Sequence, residues 1–185
     1  MNDTTNKQYD EVIKQCRTIF VQKMGDYGPS WRIMRPASLT DQLFIKVKRI
    51  RKIETTGENI VGDSIKSELM AVVNYSVMAI IQGREGYADH VDWSAAKAET
   101  EYKKVIEETK NLMFAKNNDY DEAWRDMRST SLTDIMMTKI NRIKKIEDNN
   151  GQTRVSEGCE SNFQDIINYA VFGLIKISEN EKVNL

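Results

Sequence analysis

The chain has 185 residues, of which 40% are hydrophobic and 30% charged, and its 27 basic residues are offset by 28 acidic ones. That balance provides no overall field to gather nucleic acid, so nucleic acid is not an expected partner and any polyanion must be met by a local group of cations. Two prolines and nine glycines are too few for a fold of many short strands, and no apolar run approaches the roughly 20 residues of a membrane helix, so no membrane partner is expected.

A first helix is expected near residues 6–24, where Val12, Ile13, Cys16, Ile19 and Phe20 recur at helical spacing. The opening MNDTTNKQYDEV carries no apolar segment, which predicts a cytoplasmic protein. The turn-forming DYGPSW stretch then breaks the pattern. Ser38-x-x-Asp41 has the spacing of a capping box that opens a second helix running to Glu54. A third helix is expected at about 63–82, and its LMAVVNYSVMAII segment is apolar nearly all round, as a central buried helix would be. Residues 83–90 read as a connector, followed by a long charged helix over 91–117 and a second turn, DYDEAW. Ser131-x-x-Asp134 repeats the capping spacing ahead of a helix to Glu147, and a last helix is expected at about 157–178. Nothing alternates with period two for long enough to argue a sheet. The expected fold is all-α.

The chain also contains itself twice. Residues 26–54 return as 119–147 with 16 of 29 positions identical, at an offset of 93, and Asn74-Tyr75 falls over Asn168-Tyr169 after one extra residue. Tyr9 and Ile13 fall over Tyr102 and Ile106. Two tandem three-helix repeats, 1–86 and 87–185, are therefore expected to pack as one compact pseudo-twofold helical bundle. A monomer is sufficient for such a pair, although the apolar third helices would equally support a homodimer.

Four cations stand out on the second helix of each repeat. On a helical wheel Lys46 falls among Leu43, Ile50 and Ile53 with Arg49 alongside, and Lys139 falls among Met136, Ile143 and Ile146 with Arg142 alongside. An unpaired ammonium on an apolar face costs several kcal/mol, on the order given for buried charges, so each needs an anion. Two sources fit: an internal carboxylate, or the phosphate of a ligand. Asp63 and Glu68 in the first repeat, and Glu157, Glu160 and Asp165 in the second, fall on or beside the third helices. They are candidates either to pair with those cations or to hold Mg²⁺ through oxygen ligands. Asn74 and Asn168 lie mid-helix among them.

The turns carry a further signal: Tyr27, Trp31 and Arg35 recur as Tyr120, Trp124 and Arg128. Aromatic rings flanked by arginines suit a stacked base with its phosphate, and they equally suit plugging the end of a bundle. His90 is the single histidine, and Cys16 and Cys159 are far apart in helical contexts. Histidine-based nucleophilic catalysis, zinc sites and disulfide frameworks are therefore not encoded. Neither a Rossmann loop nor a P-loop motif occurs.

The DYGPSWRIMRPASLTDQLFIKVKRIR pattern followed by NYSVMAIIQ resembles the nucleotide modification associated domain type 1 family, and the tandem arrangement is similar to members of it. The resemblance covers nearly the whole chain and implies a role in nucleotide metabolism. The positions matched are Asp26, Tyr27, Gly28, Trp31, Arg35, Asp41, Lys46, Arg49, Asn74 and Tyr75. In the second repeat they are Asp119, Tyr120, Trp124, Arg128, Asp134, Lys139, Arg142, Asn168 and Tyr169, with Asp121 in place of the glycine. Glu157-x-x-Glu160 with Asp165 is similar in part to the acidic motifs of all-α nucleoside triphosphate pyrophosphatases of the MazG and dimeric dUTPase type, which hold Mg²⁺. The expected function is nucleotide binding. On that reading Lys46, Arg49, Lys139, Arg142, Arg35 and Arg128 meet phosphate, while Tyr27, Trp31, Tyr120, Trp124, Asn74 and Asn168 form the base site. Three outcomes stay open at this point: Mg²⁺-dependent hydrolysis, a non-catalytic nucleotide sensor, and a helical interaction scaffold.

Overall fold

The computed structural model describes residues 3–183 apart from 61, 154 and 156; the side chains of 118, 120, 182 and 183 also lie outside the described set. Six α-helices run in chain order: α1 Asp3–Tyr27, α2 Pro36–Thr56, α3 Ile65–Glu85, α4 Ala95–Tyr120, α5 Ser129–Asp148 and α6 Cys159–Val183. A single 3₁₀ turn follows the first helix of each repeat, at Ser30–Ile33 and Ala123–Asp126. Among the described residues there is no strand. The all-α expectation holds, with helices longer at most ends than their spacing suggested.

Two helix starts differ from the capping-box reading. α2 begins at Pro36, with Arg35 in extended conformation (φ −64°, ψ 149°) and no side-chain cap. Proline disfavours helical geometry in the residue before it and suits the first helical position. Ser38 therefore lies inside the first turn, and in the second repeat α5 likewise starts early, behind an extended Arg128. Serine caps do occur where α3 and α4 begin: Ser64 Oγ accepts from the Ser67 amide at 3.1 Å and Ser94 Oγ from the Lys97 amide at 3.2 Å. Asp63 and Glu157 consequently precede α3 and α6 rather than riding on them.

The helices form three layers of two. α3 packs on α6 in the middle; α2 and α5 pack against each other and against that middle pair; α1 and α4 lie across its other side. The stripe Leu39, Leu43, Val47 and Ile50 on α2 is wholly buried, and Leu132, Met136, Ile140 and Ile143 repeat it on α5. Gly173 marks the close approach in the middle layer, where an added Cβ would meet Leu69 Cδ1 at 3.1 Å.

Reciprocal polar contacts tie the two repeats together. The Tyr9 hydroxyl donates to Asn168 Oδ1 at 3.0 Å, and Tyr102 donates to Asn74 Oδ1 at 2.8 Å. Thr40 donates to Glu147 at 2.7 Å, and Thr133 to Glu54 at 2.9 Å. Lys144 pairs with Asp41 at 2.7 Å, and Arg51 with Asp134 at 3.5 Å. Each contact is the other's counterpart at the offset of the repeat. Much of the repeated SLTD–KIE string is thereby explained as the interface between the two copies.

Candidate functional site

Each repeat opens a cavity where the end of its first helix and its 3₁₀ turn meet its third helix. The first, about 450 Å³, is lined by Lys23, Met24, Tyr27, Trp31, Met34, Ala71, Asn74, Tyr75 and Met78, among others. The second, about 360 Å³, is lined by Met113, Lys116, Asn117, Trp124, Met127, Asp165, Asn168, Tyr169 and Phe172, with Ala123. These are the same place twice: Lys116, Trp124 and Met127 repeat Lys23, Trp31 and Met34 at 93, and Asp165, Asn168, Tyr169 and Phe172 repeat Ala71, Asn74, Tyr75 and Met78 at 94. The volumes fall in the range of small-molecule sites, about 300–1,000 Å³. Both tryptophans are buried, and among the described residues neither indole N–H meets an acceptor. A buried donor left unpaired costs roughly 1–3 kcal/mol, a cost the two repeats share.

Of the residues expected to meet a base, Trp31 and Tyr27 line the first cavity, Tyr27 at its exposed edge. Burial, then the neighbouring Tyr75 and Asp26, raise the Tyr27 phenol above its ordinary pKa. Trp124 lines the second cavity, face to face with Phe172 at 4.3 Å and 4°. The Tyr120 side chain lies outside the described residues. Asn74 and Asn168 border their cavities, but the scaffold uses both ends of each amide. The Asn74 oxygen accepts from Tyr102 while its nitrogen donates to the Cys16 carbonyl at 3.0 Å. Asn168 does the same with Tyr9 and the Thr109 carbonyl, the latter at 3.4 Å. They brace the bundle rather than present free groups to a ligand.

The cations are less inward than the wheel suggested. Val47 and Ile140 complete the apolar stripes, which shifts Lys46 and Lys139 to the stripe edges, with side chains 27% and 16% exposed. Lys46 pairs with the buried Glu68 at 3.3 Å. Arg49 bridges Glu68 and Asp63, both at 2.8 Å, and reaches Asn59 at 3.4 Å. The hydrogen bond from Arg49, with its charge, holds the Asp63 carboxyl below its ordinary pKa. Lys139 and Lys116 converge on Asp165 at 2.6 and 2.7 Å. Burial on its own would raise the Asp165 pKa, but the two lysine hydrogen bonds outweigh it and the pKa is lowered. Arg142 is exposed and belongs to a different hollow, with Glu157 and Asn162. Arg35 and Arg128 are exposed at the starts of α2 and α5.

Sequence reasoning assigned no site role to two sets of residues. Lys23 and Lys116 stand at the cavities, and their recurrence at the offset of 93 was the available signal. Arg32 and Arg125 turn inward where Arg35 and Arg128 do not. Arg32 is buried against Gln82, the Gly86 carbonyl at 2.7 Å and Asp92 at 2.9 Å, and its guanidinium lies 4.3 Å from the Trp93 ring centre. Arg125 holds Glu122 at 2.7 Å and Glu179 at 3.0 Å, and lies 4.4 Å from the Trp124 ring centre. Both fasten the turn that carries the tryptophan.

The carboxylates expected to hold Mg²⁺ are spread out, and four of the five are committed to cations. Glu160 pairs with Arg84 at 2.6 Å on an exposed face, Asp165 serves two lysines, and Asp63 and Glu68 share Arg49. Among the described residues no three or more His, Cys, Asp or Glu side chains come together as metal ligands. This donor set does not fit a protein-built Mg²⁺ centre, because each of these four carboxylates already answers a positive charge.

Fold and cavities together define a tandemly duplicated helical protein with one aromatic cavity in each repeat. Among the described residues no helix is long and apolar enough to cross a membrane. The chain belongs to the nucleotide modification associated domain 1 family, whose model matches twice, over residues 23–82 and 116–177. Each match takes in most of one cavity, from its lysine to its third helix. No curated protein and no solved structure gives a match to the chain.

Proposed function

We propose that this protein binds a nucleotide, with base recognition in the aromatic cavity beside a tryptophan. The observation that carries the reading is the roughly 450 Å³ cavity lined by Trp31 together with Tyr27, Tyr75 and Lys23. Such a cavity offers ring contact and a positive charge together. The family's name, with its reference to nucleotide modification, points to the same ligand class. Capture without turnover is the better-supported form, since four of the five candidate carboxylates are engaged with Arg and Lys.

A thermal-shift screen of nucleosides and nucleotides, with and without Mg²⁺, tests the proposal. Stabilisation by a nucleotide, accompanied by a change in tryptophan fluorescence that Trp31→Phe removes, is the expected result. Metal-dependent stabilisation with pyrophosphate release would replace capture by hydrolysis. No response to any nucleotide would leave an interaction scaffold as the reading.

A further inference from the structure

The two cavities differ at the points where a ligand would be held. In the second, the Phe172 ring lies flat on Trp124 at 4.3 Å, and the Asp165 carboxylate sits between Lys116 and Lys139 at 2.7 and 2.6 Å. In the first, the corresponding residues are Met78 and Ala71. The lysines remain: Lys23 makes no ion pair among the described residues, and Lys46 meets a carboxylate one turn earlier on the third helix, Glu68, at 3.3 Å. The second repeat thus supplies from its own side chains an aromatic ring stacked on the tryptophan and an anion between the two lysines. The first repeat supplies neither.

We propose that the first repeat alone is the ligand site and that the ligand joins a planar ring to an anionic group of the phosphate class. The ring lies against Trp31, in the place that Phe172 takes against Trp124. The anion sits between Lys23 and Lys46, in the place that Asp165 takes between Lys116 and Lys139. The second repeat is a self-filled copy, with a smaller cavity and both its lysines neutralised by one carboxylate, where in the first repeat Lys46 alone has a carboxylate partner among the described residues. One chain then binds one ligand. The assignment of ring and anion to one nucleotide rests on the reading above; the anion seat at Ala71 does not.

Titration calorimetry with inorganic pyrophosphate, the four nucleoside monophosphates and the matching nucleosides tests this on the full chain. Ala71→Asp copies into the first repeat the carboxylate that the second tolerates, and Lys23→Glu reverses an exposed charge that supports no packing. The expected result is one site per chain, with pyrophosphate and monophosphate binding weakened at least about tenfold by either variant. Nucleoside binding should stay within about twofold, since the ring contact is untouched. Asp165→Ala with Phe172→Met should open a second site. Two sites in the wild-type chain, or phosphate binding indifferent to both Ala71→Asp and Lys23→Glu, overturns the proposal while leaving nucleotide binding intact. Pyrophosphate binding that Ala71→Asp abolishes, with no nucleotide preferred to pyrophosphate, keeps the anion seat and overturns the nucleotide reading. No binding of any of these probes overturns both.

Discussion

Asp165 is the side chain whose removal the structure prices most directly. Its carboxylate is only 10% exposed and takes hydrogen bonds from Lys139, 16% exposed, and Lys116, 45% exposed. Asp165→Asn keeps the shape and deletes the charge. Breaking a fully buried pair costs roughly 3–5 kcal/mol, whereas an exposed pair is worth below about 1. Lys116 can turn to water, so its share is small; Lys139 is largely enclosed and keeps an uncompensated charge. A loss of about 2 kcal/mol is expected at neutral pH, or roughly 4–8 °C in melting temperature for a domain of this size. The pH dependence is the sharper test. The folded-state pKa lies below the ordinary 3.8, so the stabilisation is present above the unfolded-state pKa and is lost as pH falls through the folded value. Urea denaturation of both proteins from neutral to about pH 3 should show the gap closing in acid. A gap that does not change with pH, or one under about 0.5 kcal/mol at pH 7, would refute the charge-pair account.

Burial is the main cause raising the Glu54 and Glu147 pKa values above the ordinary 4.5, opposed by hydrogen bonds from Thr133 and Thr40. Raised carboxyls act with the opposite sign to Asp165: the folded state holds the extra proton, so their effect favours folding in mild acid and weakens as pH rises through the folded pKa. Denaturation at several pH values should show Glu54→Gln with Glu147→Gln removing that component and stabilising the protein slightly at pH 7. Tyr102→Phe and Tyr9→Phe each leave a buried asparagine oxygen without its donor; thermal melts should show a loss of about 1–2 kcal/mol for each. Gly28 and Asp121 hold the same left-handed turn, at φ 66° and 48°. Gly28→Ala should cost about 1 kcal/mol and Asp121→Gly should cost nothing or gain about 0.5, read as denaturation midpoints.

The helices were legible because Leu39, Leu43, Val47 and Ile50 and their counterparts on α5 keep strict helical spacing over about three turns. The duplication was legible because the interface is built from both copies of one string, so substitutions in SLTD or KIE act on both sides at once. The placement of Lys46 went astray through a single omission, Val47, which moves the centre of the apolar stripe away from the lysine. Asp63 and Glu157 were misplaced because Ser64 and Gly158 end the connectors later than charge spacing suggests. The asparagines resembled ligand groups because their partners, Tyr102 and Tyr9, come from the opposite repeat, and no local pattern reveals a hydrogen bond across 28 or 159 residues. The cavities depend on how the 3₁₀ turn seats against α3 or α6, which is a tertiary property throughout.

The reciprocal contacts make a claim about the isolated first repeat. Across the interface Tyr9 meets Asn168, Thr40 meets Glu147 and Asp41 meets Lys144. The first repeat carries its own version of each partner at the matching position: Asn74, Glu54 and Arg51. Two copies of residues 1–86 could therefore make every one of these pairs in trans, Tyr9 of one to Asn74 of the other, with α3 packing on α3 where α6 now lies. A single copy exposes the apolar face of α3 and leaves the Asn74 oxygen without its tyrosine, and a three-helix piece of that size buries too little to offset the loss. Light scattering and circular dichroism of the fragment across a dilution series should show a helical dimer that loses helix as it dissociates. A helical monomer stable to dilution would refute the argument, since the cross-repeat pairs would then be dispensable to the fold.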